Sequence, residues 1–335
     1  MAKIFGMDLG TANTLICAKS KGIILRAPSV AAINDHTRDI VALGMAAKSM
    51  LGKTPEGMTA FRPLKGGVIA EYEVASKMVR GFLEIAGAFS LFSRPSIIVC
   101  MPHEATGVEK RALEDAIFEA GARSVALIDE PIAAAIGTGL RVGGSRGSMI
   151  VDVGGGSTEV AVISHGGIVS AGSLRIAGDH LDDAIVEYIR KKYDTLIGVA
   201  TAEELKRACG CAHPAFDRGT YRVAGRNLLS GLGTVINVTS EDIREAVSEP
   251  LEQIIDAIKH TLESTPPELS SDIYDHGIML TGGGAMLRGT DRLISERTGI
   301  RVNVAKRPLE AVCLGISKVI ESEGELGDLL QYRGR

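Results

Sequence analysis

The chain has 335 residues, 45% of them apolar, and a formal net charge of −4 at pH 7. That length allows two domains with a core each, the composition is that of a globular protein, and so mild a charge excludes nucleic-acid binding driven by a basic surface. The 5 cysteines are scattered and odd in number, which suggests no disulfide framework and points to a reducing compartment.

Cys17, Cys100 and Cys313 fall in apolar runs and read as buried thiols. Cys209-Gly-Cys211 with His213 lacks the two-residue gap and the second pair of common zinc sites, which argues against a metal there. The chain enters a strand almost at once, near Ile4, so no signal peptide is expected. No apolar run reaches the roughly 18 residues of a membrane span. A cytoplasmic location is the expectation.

From the N-terminus, residues 4–9 are an apolar strand ending Asp8-Leu-Gly10, followed by a small polar turn, Thr11 to Thr14, and a returning apolar strand. Residues 22–30 continue that sheet, and 31–61 read as a small insertion. Val74, Met78 and Phe82 recur at helical spacing, which predicts a helix over about 73–85 with that face in the core. Residues 87–95 should be a loop, yet Phe89, Leu91 and Phe92 are large and apolar. Either they fold back onto the core or they mark a contact with a membrane or partner.

Thr106-Gly-Val-Glu109 is a capping-box pattern and starts a helix to about 120. A strand over 124–128 leads to Asp129-Glu130-Pro131, with Pro131 suited to a first helical turn. Acids at the end of a parallel strand lie where open α/β sheets bind ligands. Glu130 there could orient a water toward a phosphate, or merely favour the helix N-terminus.

Residues 149–163 repeat the N-terminal pattern: an apolar strand with Asp152, then Gly154, Gly155, Gly156, Ser157 and Thr158, then a second apolar strand. Asp8 matches Asp152 and Gly10 matches Gly154, as an internal duplication would produce. Glycines let backbone N–H groups approach an anion closely, and a carboxylate beside such a cradle is repulsive unless a cation stands between them. Two copies therefore point to a metal-bound nucleotide held in a cleft between related domains.

Farther along, Asp179 should cap a helix, and Thr201-Ala-Glu-Glu204 reads as another capping box. Residues 210–239 look like short strands and turns. A long amphipathic helix is predicted over 240–264, with Pro250 expected to kink or divide it. A buried strand then runs into Gly282, Gly283 and Gly284, a turn open to the flat approach of an adenine or ribose. Residues 321–335 read as a polar, frayed tail. A P-loop ending Gly-Lys-Ser/Thr and a Rossmann fingerprint after the first strand are both missing.

The segments Asp8-Leu-Gly-Thr-Ala-Asn-Thr14, Asp152-Val-Gly-Gly-Gly-Ser-Thr-Glu-Val160 and Thr281-Gly-Gly-Gly-Ala285 resemble the two phosphate motifs and the adenosine motif of the actin, sugar-kinase and heat-shock-chaperone superfamily. Within it, Lys21-Gly-Ile-Ile-Leu25, Arg62-Pro-Leu64, Asp129-Glu-Pro-Ile-Ala-Ala-Ala-Ile136, Ala202-Glu-Glu-Leu-Lys206 and Thr265-Pro-Pro-Glu-Leu269 closely resemble the MreB/Mbl family of bacterial actin homologues, over nearly the whole chain.

That resemblance implies an α/β actin-like ATPase fold: two duplicated ribonuclease-H-like domains, each with a subdomain insertion, and a nucleotide in the cleft between them. The first domain would take residues 1–142 plus the final helix, about 309–335, with its insertion at 31–61. The second would take 143–308, with its insertion at 181–239. By the same resemblance Thr11, Ala12, Asn13, Gly154, Gly155 and Gly156 bind the phosphates of ATP. Glu203, Glu204, Leu205 and Lys206 line the base and ribose, opposite Gly282, Gly283, Gly284 and Ala285. Asp8 and Asp152 hold Mg2+ through its waters, and Glu130 positions the attacking water.

The family forms antiparallel double filaments on the inner face of the cytoplasmic membrane, works with membrane proteins of the cell-elongation machinery, and sets rod shape by organising wall synthesis. Phe89, Leu91 and Phe92 fall where some members carry a membrane loop. Ser157 stands where a Thr is usual, His103-Glu104 where small residues are usual, Gly66 where Asp is usual, and His180 where an acid is usual; 209–218 leave the family pattern. A sugar-type kinase on the same fold is the competing reading. It would need an acceptor pocket, for which no second polar constellation is evident.

Overall fold

The computed structural model describes residues 3–90, 93–322 and 326–333. Two sheets form its frame, and the second repeats the topology of the first. In the first, Ile4–Leu9, Asn13–Ala18 and Gly22–Pro28 form an antiparallel meander, and Ser96–Met101 and Ser124–Asp129 add in parallel beside its first strand. In the second, Ser148–Val153, Thr158–Ser164 and Gly167–Leu174 form the meander, and Ile278–Thr281 and Val302–Val304 add in the same way.

The repeat extends to the corners of the turns. The Gly10 N–H donates to the Asn13 carbonyl at 3.1 Å, and the Gly154 N–H to the Ser157 carbonyl at 2.9 Å. A Cβ on Gly10 would stand 2.9 Å from that Asn13 oxygen, and one on Gly154 3.0 Å from the Ser157 oxygen. Both corners thus need glycine for the same steric reason.

Parallel neighbours require crossovers, and helices supply them. Gly107–Glu119 crosses between Ser96–Met101 and Ser124–Asp129, and its start carries the expected capping box of Thr106 and Glu109. Thr290–Thr298 crosses between the last two strands of the second sheet. The helix Tyr72–Ile85 buries Val74, Met78 and Phe82, the face its spacing predicts.

Two helices lie between the sheets. Glu130–Thr138 and Ala311–Glu321 share one core cluster with Cys17, Cys100 and Ile128 of the first sheet and Ile150, Ala161 and Ile163 of the second. The pair approaches backbone to backbone. A methyl on Gly137 would overlap the Ala311 carbonyl and stand 2.9 Å from the Gly315 nitrogen, and one on Gly315 would overlap the Ala133 carbonyl.

Each half also carries a small sheet. Ala31–Asn34, Ile40–Leu43 and Met58–Phe61 make one; Thr195–Leu196, Thr220–Asn227 and Gly233–Thr239 make the other.

Several local expectations change. Ser240–Glu263 is one uninterrupted helix with Pro250 inside it, not two pieces. Its buried Val247, Leu251, Ile254 and Ile258 hold it to the core, which offsets the roughly 3 kcal/mol that an interior proline costs. The helix predicted to open at Thr201 starts earlier, at Val199, without a side-chain cap. Asp179 lies in the first turn of Gly178–Tyr193, after the N-cap Ala177, and caps nothing. The tail is not frayed throughout: Gln331–Arg333 pairs antiparallel with Ser124–Asp129, Gln331 opposite Leu127, and covers that sheet edge.

In the 87–95 loop, Phe89 does fold back. Its ring is half-buried against the core of the first half, under the Arg80 guanidinium at 5.7 Å. Leu91 and Phe92, the other two residues expected to contact a membrane, lie outside the described residues.

Candidate functional site

The two glycine turns face each other. A Cβ on Gly155 would stand 2.6 Å from the Ala12 Cβ, and one on Gly156 2.8 Å from the Gly66 nitrogen. The second turn can meet Thr11 and Ala12 of the first this closely only because it has no side chains of its own at Gly155 and Gly156. Thr11 is buried, and its hydroxyl accepts the Gly67 N–H at 2.9 Å; Asn13 is exposed. Ser29 braces the first turn, its hydroxyl donating to the Gly10 carbonyl at 2.6 Å and its N–H to the Ala12 carbonyl at 3.0 Å. The second turn is braced by the start of Gly178–Tyr193, where the Gly178 and Asp179 N–H groups donate to the Gly154 and Gly155 carbonyls at 3.2 and 2.8 Å.

Beneath the turns lie acids: Asp152 and Glu159 are buried, Asp8 and Glu130 half-buried. Asp8 and Asp152 hold equivalent places, opposite Leu15 in the first meander and Glu159 in the second. Burial lifts Asp8 to about 7 against the pull of the Cys100 thiol, which donates to it at 3.5 Å. Burial, then repulsion from Asp8 and Glu159, lifts Asp152 to about 8. Burial pushes Glu130 well up, followed by the charges of Asp152, Glu159 and Asp8. Burial holds Glu159 at about 7, even with Ser173 donating to it at 2.6 Å and the His103 N–H at 3.3 Å.

Acids placed this close together and shielded from water are costly to ionise together. The donor set, carboxylate oxygens beside phosphate-sized turns, is that of a hard divalent cation. Among the described residues no group of three or more His, Cys, Asp and Glu side chains is set to grip an ion directly. An ion here would therefore need oxygens from water or phosphate as well, and with those the site fits magnesium.

The third glycine turn closes the cleft from the second sheet. Gly282 has φ +81°, and a Cβ there would stand 2.6 Å from the Val153 carbonyl carbon. Ala285 is buried just beyond it. The helix Val199–Ala208 carries the other expected nucleotide residues. Glu203 pairs with Lys48 at 2.9 Å, and Glu204 is exposed. Lys206 donates to the Gly178 carbonyl at 2.8 Å and pairs with the buried Asp182 at 2.8 Å. The Leu205 side chain is buried in the core, so any contact it makes with a ligand in the cleft is through its backbone.

Glu159 was passed over in the sequence as one more strand residue. The signal was there: an acid at the head of an apolar strand, directly before Val160 to Ile163. The structure also brings in His103, whose Nδ1 lies 3.0 Å from Asp129 Oδ1, beside Glu130.

The family model described as MreB/Mbl protein matches residues 2–327. The chain belongs to the MreB/Mbl family. It is 49% identical to the cell shape-determining protein MreB of Escherichia coli (strain K12), over 94% of this chain and 92% of that one. Among solved structures it is similar to MreB5 of Spiroplasma citri bound to AMPPNP, with a TM-score of 0.91 and 34% identity, covering 98% of each chain. It also shares its fold with the MamK double helical filament, with a TM-score of 0.80 and 20% identity over 95% of this chain and 98% of that one. The doubled sheets of this MreB/Mbl chain are thus an actin-like fold, with the facing turns in its cleft.

Proposed function

We propose that the cleft binds ATP with magnesium and hydrolyses it, and that the bound nucleotide governs assembly of copies of this chain into membrane-associated filaments that organise wall synthesis and rod shape. The observation that carries this is the pair of facing turns, each with an aspartate of raised pKa beneath it. Membership in the MreB/Mbl family, an AMPPNP-bound relative and a filament of the same fold support it.

In this reading the backbone N–H groups of 11–13 and of Gly155 and Gly156 bind the phosphates from opposite sides, while Gly154, its N–H held by the Ser157 carbonyl, shapes the corner of the second turn. Asp8 and Asp152 hold the magnesium through its waters; bound there, it neutralises the charge that develops on the phosphates. Thr281-Gly-Gly-Gly-Ala285 and the helix Val199–Ala208 flank the adenosine. Glu130 accepts a hydrogen bond from the attacking water and aims it at the terminal phosphate. Phosphoryl transfer to water then depends chiefly on positioning and charge stabilisation.

Among the described residues no helix is long and apolar enough to cross a membrane. Association would be peripheral, through the 87–95 loop, with Leu91 and Phe92 as contacts and the half-buried Phe89 as their support. Weak binding per subunit becomes avid along a filament.

The test is Glu130→Ala, measured for ATP binding and for turnover. The expected result is unchanged binding with hydrolysis slowed about 100-fold or more. Equal turnover in both proteins would remove the assigned role. Flotation of Leu91→Ser, Phe92→Ser filaments with vesicles tests the loop, and retained flotation would place the anchor elsewhere.

A further inference from the structure

The parallel strands Ile4–Leu9, Ser96–Met101 and Ser124–Asp129 begin in register, with Ile4, Ser96 and Ser124 side by side. A basic residue lies just before each: Lys3, Arg94 and Arg123, all exposed. Backbone bonds tie these strand starts together. The Ser96 N–H donates to the Lys3 carbonyl at 3.0 Å, and the Arg123 N–H to the Pro95 carbonyl at 2.7 Å. Three basic residues are therefore held at one end of the sheet, and among the described residues none of the three is in an ion pair.

A 580 Å³ cleft opens beside them, lined by Arg80, Phe89, Arg94, Glu119 and Gly121 among others. Arg80 lies over Phe89 and pairs with Glu84 at 3.0 Å. Glu119 bonds to Tyr72. Counting both acids, the rim carries four basic residues against two acidic ones.

We infer that this rim is an electrostatic docking surface for anionic lipid headgroups: Lys3, Arg94 and Arg123 meet headgroup phosphates, and the cleft between Arg80 and Arg94 admits one. The inference rests on the membrane reading above and deepens it by naming the lipid class. Charge complementarity is one ground. The other is continuity, since Phe89 both lines the cleft and belongs to the apolar loop. The protein's net charge is negative, so attraction to an anionic surface must come from a local cluster such as this one. Each basic side chain near such a surface is worth about a fivefold gain in partition.

The test is co-sedimentation of the full chain with vesicles of phosphatidylcholine alone, or with one-third phosphatidylglycerol, at rising salt. Wild type should prefer the anionic vesicles, and salt should erase that preference. Lys3→Gln, Arg94→Gln, Arg123→Gln combined should lose about tenfold or more on anionic vesicles and nothing on neutral ones, with melting and ATP-dependent pelleting unchanged. Arg94→Lys, Arg123→Lys should keep the preference, which separates charge from a folding defect. Equal binding of wild type to both vesicles, or a preference retained by the triple Gln variant, would overturn the rim while leaving the loop as anchor. Binding of wild type to neither would overturn the membrane reading and the rim together.

Discussion

Lys48 pairs with Glu203 at 2.9 Å, joining the short helix Gly44–Lys48 of the first half to the helix Val199–Ala208 of the second. The partners stand 155 residues apart in the chain. Together with Arg62–Asp179 and Glu109–Arg175, both at 2.5 Å, the pair ties the two halves across the cleft. Burial pushes the Glu203 carboxyl up, but the bond to Lys48 and the charges of Lys48, Arg62 and Lys206 together outweigh this and leave it below its usual value.

Lys48→Ala or Glu203→Ala should therefore loosen the cleft more than the fold. Partly exposed pairs contribute about 1 kcal/mol or less, so melting should hardly move. Release of a fluorescent ATP analogue should speed up severalfold. The swap Lys48→Glu, Glu203→Lys should restore slow release. A swap as fast as the single variants would show that the pair is not the latch.

The facing turns make a second prediction. Gly155→Ala places a methyl 2.6 Å from the Ala12 Cβ, so the halves must part to admit it. ATP affinity should fall about tenfold or more, since one ångström of misplacement is costly at a phosphate site. The melting temperature should stay near wild type because the clash lies in the cleft. Unchanged affinity would mean that the turns do not clamp the ligand together.

Between the sheets the consequence is stability instead. Gly137→Ala drives a methyl into the Ala311 carbonyl, and Gly315→Ala drives one into Ala133. Each should cost about 1–3 kcal/mol, or more, read by chemical denaturation. A cost under 0.5 kcal/mol would mean that the helices separate easily.

Some of this was legible in the chain, and the reason is physical. The duplicated hairpins announce themselves because each needs its aspartate and its corner glycine at fixed spacing, a demand that is local. The edge strand Gln331–Arg333 was missed because its pairing with Ser124–Asp129 joins residues about two hundred positions apart. Pro250 misled because local backbone preference says nothing of Val247 and Ile254 holding the helix to the core. Lys48 gave no sign of Glu203, since only the closed cleft brings them together.

The acids beneath the turns set a pH dependence. Asp8 at about 7, Asp152 at about 8 and Glu159 at about 7 titrate far above the ordinary range near 4. Between pH ~4 and these values the folded chain holds more protons than the unfolded one, so the stability they add is full below about pH 4 and is lost as pH rises through the folded values. The nucleotide-free protein should melt lower at pH 8 than at pH 5. Asp152→Asn should flatten that fall, and so should magnesium with ATP. An equal fall in the Asn variant would show that other groups cause it.

The central claim is that metal-bound ATP, held between the turns of Asp8 and Asp152, drives assembly of this chain. High-speed sedimentation with magnesium and ATP tests it most directly. Wild type should pellet above a critical concentration as filaments visible by electron microscopy, and Asp8→Ala, Asp152→Ala should stay in solution while still folded. Wild-type protein that remains in the supernatant at every concentration, and passes its phosphate to a small-molecule acceptor, would contradict it.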